Sequence, residues 1–228
     1  MALYAIGDLH LCLGAPKPMD IFGGNWVGYM DKLRKEMAII HPDDTTVLLG
    51  DLSWALDLSA AHDDFQWINS IPGKKIILKG NHDYWWSTAT KFYDFCQKND
   101  FSDMYILNNN HYEYNGYAIC GTRGWFFEEE RSGNHDEKVF KRELLRLEAS
   151  LQAAGEKPKI VFLHYPPLYK GYTCQEIISL LHRYDVRQCF YGHLHGPSHN
   201  LALEGLHDGI EYRLVSADRL NFKPFCVI

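Results

Sequence analysis

Lys74-Lys75-Ile76-Ile77-Leu78-Lys79-Gly80-Asn81-His82-Asp83 is the stretch on which the reading of the chain turns. A short β-forming apolar run passes directly into a glycine, an amide, an imidazole and a carboxylate, so a strand predicted over 75–78 carries chemically active groups at its carboxyl end. Four other clusters repeat that order: Asp8-Leu9-His10 after Leu3 to Ile6, Gly50-Asp51 after Thr46 to Leu49, His164 after Ile160 to Leu163, and Gly192-His193-Leu194-His195 after Cys189 to Tyr191. Open α/β sheets assemble their sites where strands end and loops begin, and every polar cluster here sits at such a junction.

Taken singly, each piece has a plain structural reading, since a Gly-Asp is a common turn and a histidine at a strand end is usually a hydrogen-bonded surface residue. Five of them in this order, each after an apolar run, point instead to a metal site. Carboxylates, imidazoles and an amide oxygen suit borderline divalent cations, and one carboxylate can bridge two ions about 3.5–4 Å apart. Asp8 and His10 are two residues apart, as are His193 and His195, so a strict strand would aim each pair at one face.

The set D-x-H, GD, GNHD, H and G-H-x-H, running from Asp8 to His195, resembles the signature of the calcineurin-like metallophosphoesterases. The resemblance implies a two-sheet mixed β-sandwich flanked by helices, a four-layer αββα fold within the α+β and α/β classes. It also implies hydrolysis of phosphomonoesters, phosphodiesters or pyrophosphates. Carried over by motif, Asp8, His10 and His195 would hold one metal, Asn81, His164 and His193 the other, and Asp51 would bridge them. Attack by a metal-bridging hydroxide would then need no side-chain nucleophile. The leaving alkoxide still needs a proton, for which His82 is the natural donor, with Asp83 orienting and charge-supporting the imidazole.

Gly133-Asn134-His135-Asp136 spells GNHD a second time, but it follows Glu128-Glu129-Glu130-Arg131-Ser132, which is no strand. This copy opens a helical pattern with Phe140, Leu144, Leu147 and Leu151 on one stripe and Asn134 or Asp136 placed as cap.

The chain has 228 residues with 46% hydrophobic content, enough for one domain over 1–228. Six scattered cysteines without a C-x-x-C pair suggest reduced thiols and a cytoplasmic setting. No leader pattern is seen, and no apolar run approaches the roughly 18 residues of a membrane span. A net charge of −6 disfavours binding nucleic acid through backbone charge, although bound cations would offset it at the site.

Periodicity predicts a helix on Trp26, Met30, Leu33, Met37 and Ile40, capped by Asn25 and ended before Pro42. Further helices are predicted over 59–71 and 87–99. A hairpin is predicted about Asn115-Gly116, and a second near His207-Asp208-Gly209 between 201–204 and 210–215.

Specificity is less legible. Arg123, between glycines in the segment Gly121 to Phe127, can grip a phosphate oxygen, or be a loop arginine or an ion-pair partner of Glu128 to Glu130. Tyr84, Trp85 and Trp86 suit core packing better than a stacking wall. The 11–29 loop, following His10, reads as a lid or a connector. His199 could line the rim. After Gly50-Asp51 the chain lacks the GD-x-x-DRG arginine of serine/threonine protein phosphatases, which disfavours phosphoprotein, and the motif set is closer to bacterial phosphodiesterase and nucleotide hydrolase branches. The segment 215–221 departs from the Asn-Pro-Gly turn common near the end of small members. The expected activity is therefore a phosphoesterase with two divalent ions, Mn, Fe, Zn or Ni, acting on a small-molecule or nucleotide ester. A metal-dependent nuclease and a non-catalytic scaffold on the same fold are the alternatives.

Overall fold

The structure is a computed structural model that describes residues 1–125 and 134–228, with only the backbone described at 134 and 135. The chain divides into two compact units, Met1–Ile106 with Val215–Ile228, and Leu107–Leu214. Each is built on its own mixed sheet flanked by helices, the class that the strand and helix pattern implies.

The first unit alternates strand and helix: β1 (Leu3–Ile6), α1 (Tyr29–Met37), β2 (Thr45–Leu48), α2 (His62–Ser70), β3 (Lys74–Ile77), α3 (Ala89–Lys98) and β4 (Met104–Ile106). All four strands are parallel neighbours in that order, as helical crossovers require. Their register aligns Ile6 with Leu48 and Leu48 with Ile77, so the loops after β1, β2 and β3 leave the sheet at one edge. Buried Leu33, Met37, Phe65, Ile68 and Phe92 from the three helices join Ile6, Leu48 and Ile77 in one core.

The first helix starts later than the sequence suggests. Asn25 lies in a 3-10 turn, Gly24–Trp26, where its side-chain amide donates to the Asp218 carbonyl at 3.0 Å. The helix is instead preceded by Gly28 at φ 65, a left-handed residue that re-aims the chain. Trp26 is still buried with Leu33, Met37 and Ile40, so the apolar stripe is right although its first member precedes the helix.

The second unit runs β5 (His111–Tyr114), β6 (Tyr117–Thr122), α4 (Asn134–Ala153), β7 (Lys159–Leu163), a small ribbon of β8 (Leu168–Tyr169) with β9 (Tyr172–Thr173), α5 (Gln175–Arg183), β10 (Gln188–Tyr191), β11 (Gly205–His207) and β12 (Ile210–Leu214). Its sheet order is β11-β12-β10-β7-β6-β5, with β6, β7, β10 and β12 parallel and an antiparallel strand at each edge. The β5–β6 hairpin turns on Asn115 and Gly116 at φ 46 and 83, the double left-handed geometry that Asn-Gly favours. Asn134, His135 and Asp136 of the second GNHD copy begin α4, and Phe140, Leu147 and Leu151 of that helix are buried against the sheet.

The last hairpin turns as expected at Asp208 and Gly209, but its first strand is 205–207 and not 201–204. The 3-10 turn Gly196–Leu201 takes the first residue of the expected segment, and Ala202 forms an isolated antiparallel bridge with Tyr169 instead. The chain then returns to the first unit, where β13 (Phe225–Cys226) pairs antiparallel with β1, a strand too short to announce itself in the sequence. All six cysteines are unpaired, and no helix among the described residues is long and apolar enough to cross a membrane.

Candidate functional site

In the first unit, the loops after β1 and β2 lie side by side. The N–H groups of Asp8, His10 and Leu11 donate to the carbonyls of Gly50, Asp51 and Leu52, each at 2.9 Å. Neither Asp8 nor His10 is on a strand: their φ values are 60 and 46, and Asp51 stands at 50. The strict-strand picture of one shared face therefore gives way to a left-handed loop in which Leu9 is buried as an anchor. Non-glycine residues in this region are uncommon and strained, and such strain concentrates at functional sites. Asp8, His10 and Asp51 are all almost completely buried, with His10 Nε2 3.9 Å from Asp51 Oδ2.

The glycines of the GD and GNHD motifs are there for close approach. A Cβ on Gly80 would meet Asp51 Oδ1 at 2.0 Å, and one on Gly50, at φ 85, would meet the Gly80 nitrogen at 2.4 Å. The two loops are held at that distance by Asp83. Its buried carboxylate accepts from the N–H groups of Asp51 (2.8 Å), Leu52 (2.8 Å), Ser53 (3.4 Å) and Gly80 (2.7 Å), and from Trp85 Nε1 (2.8 Å). Four of these five bonds come from backbone N–H groups of the two loops. The Asp51 carboxylate is in turn fixed by the His82 N–H, which donates to Oδ1 at 2.7 Å.

The His82 ring lies 5.9 Å from that of His10 and 4.6 Å from that of Trp54, centroid to centroid, and its Nδ1 is 3.3 Å from the Tyr84 hydroxyl. Of the three aromatics after GNHD, Trp85 is buried and Trp86 packs against the core. Tyr84 is 54% exposed beside His82. Asn81, half-buried, occupies the turn between Gly80 and His82.

The 11–29 loop is stitched down. Its Leu13 N–H donates to Asp64 Oδ1 at 2.7 Å, the Tyr29 hydroxyl donates to the His10 carbonyl at 3.1 Å, and Met19 and Trp26 are buried. The Ser53 hydroxyl also bonds to the second oxygen of Asp64. Burial raises the Asp64 carboxyl above its ordinary 3.8, opposed by the hydrogen bonds from Ser53 and Leu13.

In the second unit, the loops after β6, β7 and β10 are laced in the same manner. The Arg123 carbonyl accepts from the N–H groups of His164 (3.1 Å) and Tyr165 (2.9 Å), and the His164 carbonyl accepts from that of Gly192 (3.0 Å). His164 is fully buried and His193 stands at φ 73, with their rings 5.3 Å apart and that of Tyr165 4.6 Å from His193. Buried Leu194 anchors the motif, and His195 opens the following 3-10 turn, its N–H donating to Ser198 Oγ at 2.9 Å.

Arg123 points inward to a partner the sequence did not suggest. Its guanidinium lies 3.5 Å from buried Glu143 of α4 and stacks 4.9 Å from the Trp125 ring, while Glu143 also takes the Thr122 hydroxyl at 2.7 Å and Arg146 at 2.5 Å. Phe126, Phe127 and the alternative partners Glu128 to Glu130 lie outside the described residues.

Each unit thus gathers its own share of the predicted donors: Asp8, His10 and Asp51 in the first, with His82 and Asp83 adjoining, and His164 and His193 in the second, followed by His195. Carboxylate oxygens and imidazole nitrogens are the donors that borderline divalent cations accept. Trp54 beside His10, and Lys17 over the Trp54 ring, are the neighbours that motif reading passed over. Trp54's only local signal is its position three residues after Asp51.

The chain matches the family model described as calcineurin-like phosphoesterase over residues 1–197. Among solved structures it is similar to a protein of unknown function, AQ665 from Aquifex aeolicus. That match has 16% identity, covers 98% of this chain and 94% of the other, and has a TM-score of 0.55. It is also similar to TT1561 of Thermus thermophilus, at 16% identity over 85% of this chain and 81% of the other, with a TM-score of 0.51. At such identities the likeness is one of fold. No curated protein sequence matches the chain.

Proposed function

Because the chain belongs to the calcineurin-like phosphoesterases, we propose that it is a metal-dependent phosphohydrolase of a small-molecule or nucleotide phosphodiester or phosphomonoester. In this reading, which follows the motifs, Asp8, His10 and His195 would hold one divalent ion, Asn81, His164 and His193 would hold another, and Asp51 would be shared. When bound, such ions supply Lewis acidity toward the phosphoryl oxygens and lower the pKa of water toward neutrality.

The observation that carries this reading is the position of the Asp51 carboxylate, bonded to the His82 backbone and facing the His10 ring. One carboxylate oxygen is fixed by the His82 N–H at 2.7 Å, and the other faces His10 Nε2 at 3.9 Å. The carboxylate proposed to be shared and the proposed proton donor are thereby joined by a hydrogen bond between two loops. His82, half-buried and next to Asn81, protonates the leaving oxygen, and Asp83 acts as a positioning residue by setting the backbone on which Asp51 and His82 sit. We read residues 1–228 as one catalytic domain, and the unpaired cysteines support work in a reducing, cytoplasmic setting.

Hydrolysis of bis-p-nitrophenyl phosphate and p-nitrophenyl phosphate, measured side by side with Mn²⁺, tests the proposal. Turnover that disappears in Asp51→Asn supports it, and the preferred ester separates diesterase from monoesterase. Metal-loaded protein inactive on both and on nucleotide esters would favour the scaffold instead.

A further inference from the structure

We propose that Lys17 and Trp54 form the subsite for the leaving group, and that this group carries its own anion, a phosphate or a carboxylate. The inference rests on the phosphohydrolase reading and on His82 as proton donor. Trp54 borders the imidazoles of both His10 and His82: its ring stacks on His10 with centroids 4.8 Å apart and planes at 19°, and lies 4.6 Å from His82. The Lys17 ammonium sits 3.2 Å from the centroid of the same Trp54 ring. A fixed positive charge therefore stands one ring away from the group that protonates the departing oxygen.

Three features mark this cation as a binding group and not a clamp. The loop needs no clamp there, being held already by Leu13 on Asp64 and by buried Met19, Trp26 and Tyr29. Lys17 stands between Pro16 and Pro18, whose fixed φ angles restrict the backbone, and Trp54 is oriented through its Nε1–H, which donates to Met19 Sδ at 3.3 Å. Lys17 is exposed, and among the described residues no carboxylate forms an ion pair with it. An ammonium held over an aromatic face keeps its N–H donors and most of its charge for an arriving anion. A leaving group without charge would gain nothing from it.

Phenyl phosphate and 4-carboxyphenyl phosphate, or their methyl diesters if diesters prove to be the substrates, differ only in a carboxylate on the leaving group. The wild-type protein should prefer the carboxylated ester, Lys17→Met should lower that preference in kcat/KM about tenfold, and Lys17→Arg should keep it within about threefold. Calorimetric binding of phenylphosphonate and 4-phosphonobenzoate, which are not hydrolysed, should show the same difference. Equal effects of Lys17→Met on both esters, or a wild-type enzyme indifferent to the carboxylate, would overturn the subsite and leave the phosphohydrolase standing. A wild-type protein that turns over neither ester, while Asp51→Asn behaves identically, removes both.

Discussion

Replacing Asp83 with asparagine separates two roles for that residue. Its Oδ2 accepts from the N–H groups of Asp51 and Gly80, and its Oδ1 from those of Leu52 and Ser53 and from Trp85 Nε1. An amide offers one acceptor oxygen, so in either orientation its NH₂ faces at least two buried N–H donors. Each buried donor left unpaired costs about 1–3 kcal/mol, so the substitution should cost roughly 2–6 kcal/mol. That is a large part of the roughly 5–15 kcal/mol by which a domain is stable. At about 2–4 °C per kcal/mol for a chain of this size, the melting temperature of metal-free protein should fall by about 10 °C. Scanning calorimetry at neutral pH measures this directly. If Asp83 acted chiefly through its charge on His82, the variant would melt within about 2 °C of the wild type and lose rate only on esters with poor leaving groups. That pair of results would refute the backbone role.

Arg123→Ala should lower stability by about 1–3 kcal/mol in urea titrations, because Glu143 loses one of its cations but keeps Thr122 and Arg146; a KM raised for every ester with stability unchanged would restore Arg123 as a substrate ligand. Asn81→Ala should weaken metal binding at least about tenfold in calorimetric titration, whereas Asn134→Ala, at the start of α4, should leave it unchanged; the reverse would exchange the two GNHD copies. Burial raises the Asp64 carboxyl above 3.8, so the folded state keeps this proton to higher pH than the unfolded state and loses the associated stability as pH rises from 3.8 through the raised value. The melting temperature of wild type minus Asp64→Asn should therefore fall across that window, and a difference that rises would contradict the burial of the charge.

The donors were legible because their signal is local: an apolar run followed by a compact polar cluster fixes a strand end whatever lies elsewhere in the chain. The two GNHD copies show how far context reaches, since the first follows β3 and the second opens α4, as their flanks indicate. What the residues could not show is how the clusters are held. Left-handed backbone at Asp8, His10, Asp51 and His193 leaves no mark in residue type comparable to a glycine, and at the first three the N–H is held by a neighbouring loop. Asp83 reads as one more acid beside a histidine, yet three of its donors are amides about thirty residues earlier. Lys17 reads as a loop lysine until the fold sets it over Trp54. The candidate ligands are thus written in the sequence, and their geometry is written in the pairing of loops. A substitution that spares every ligand but moves a loop, such as Gly80→Ala with its Cβ 2.0 Å from Asp51 Oδ1, should therefore impair the site as much as removing a ligand.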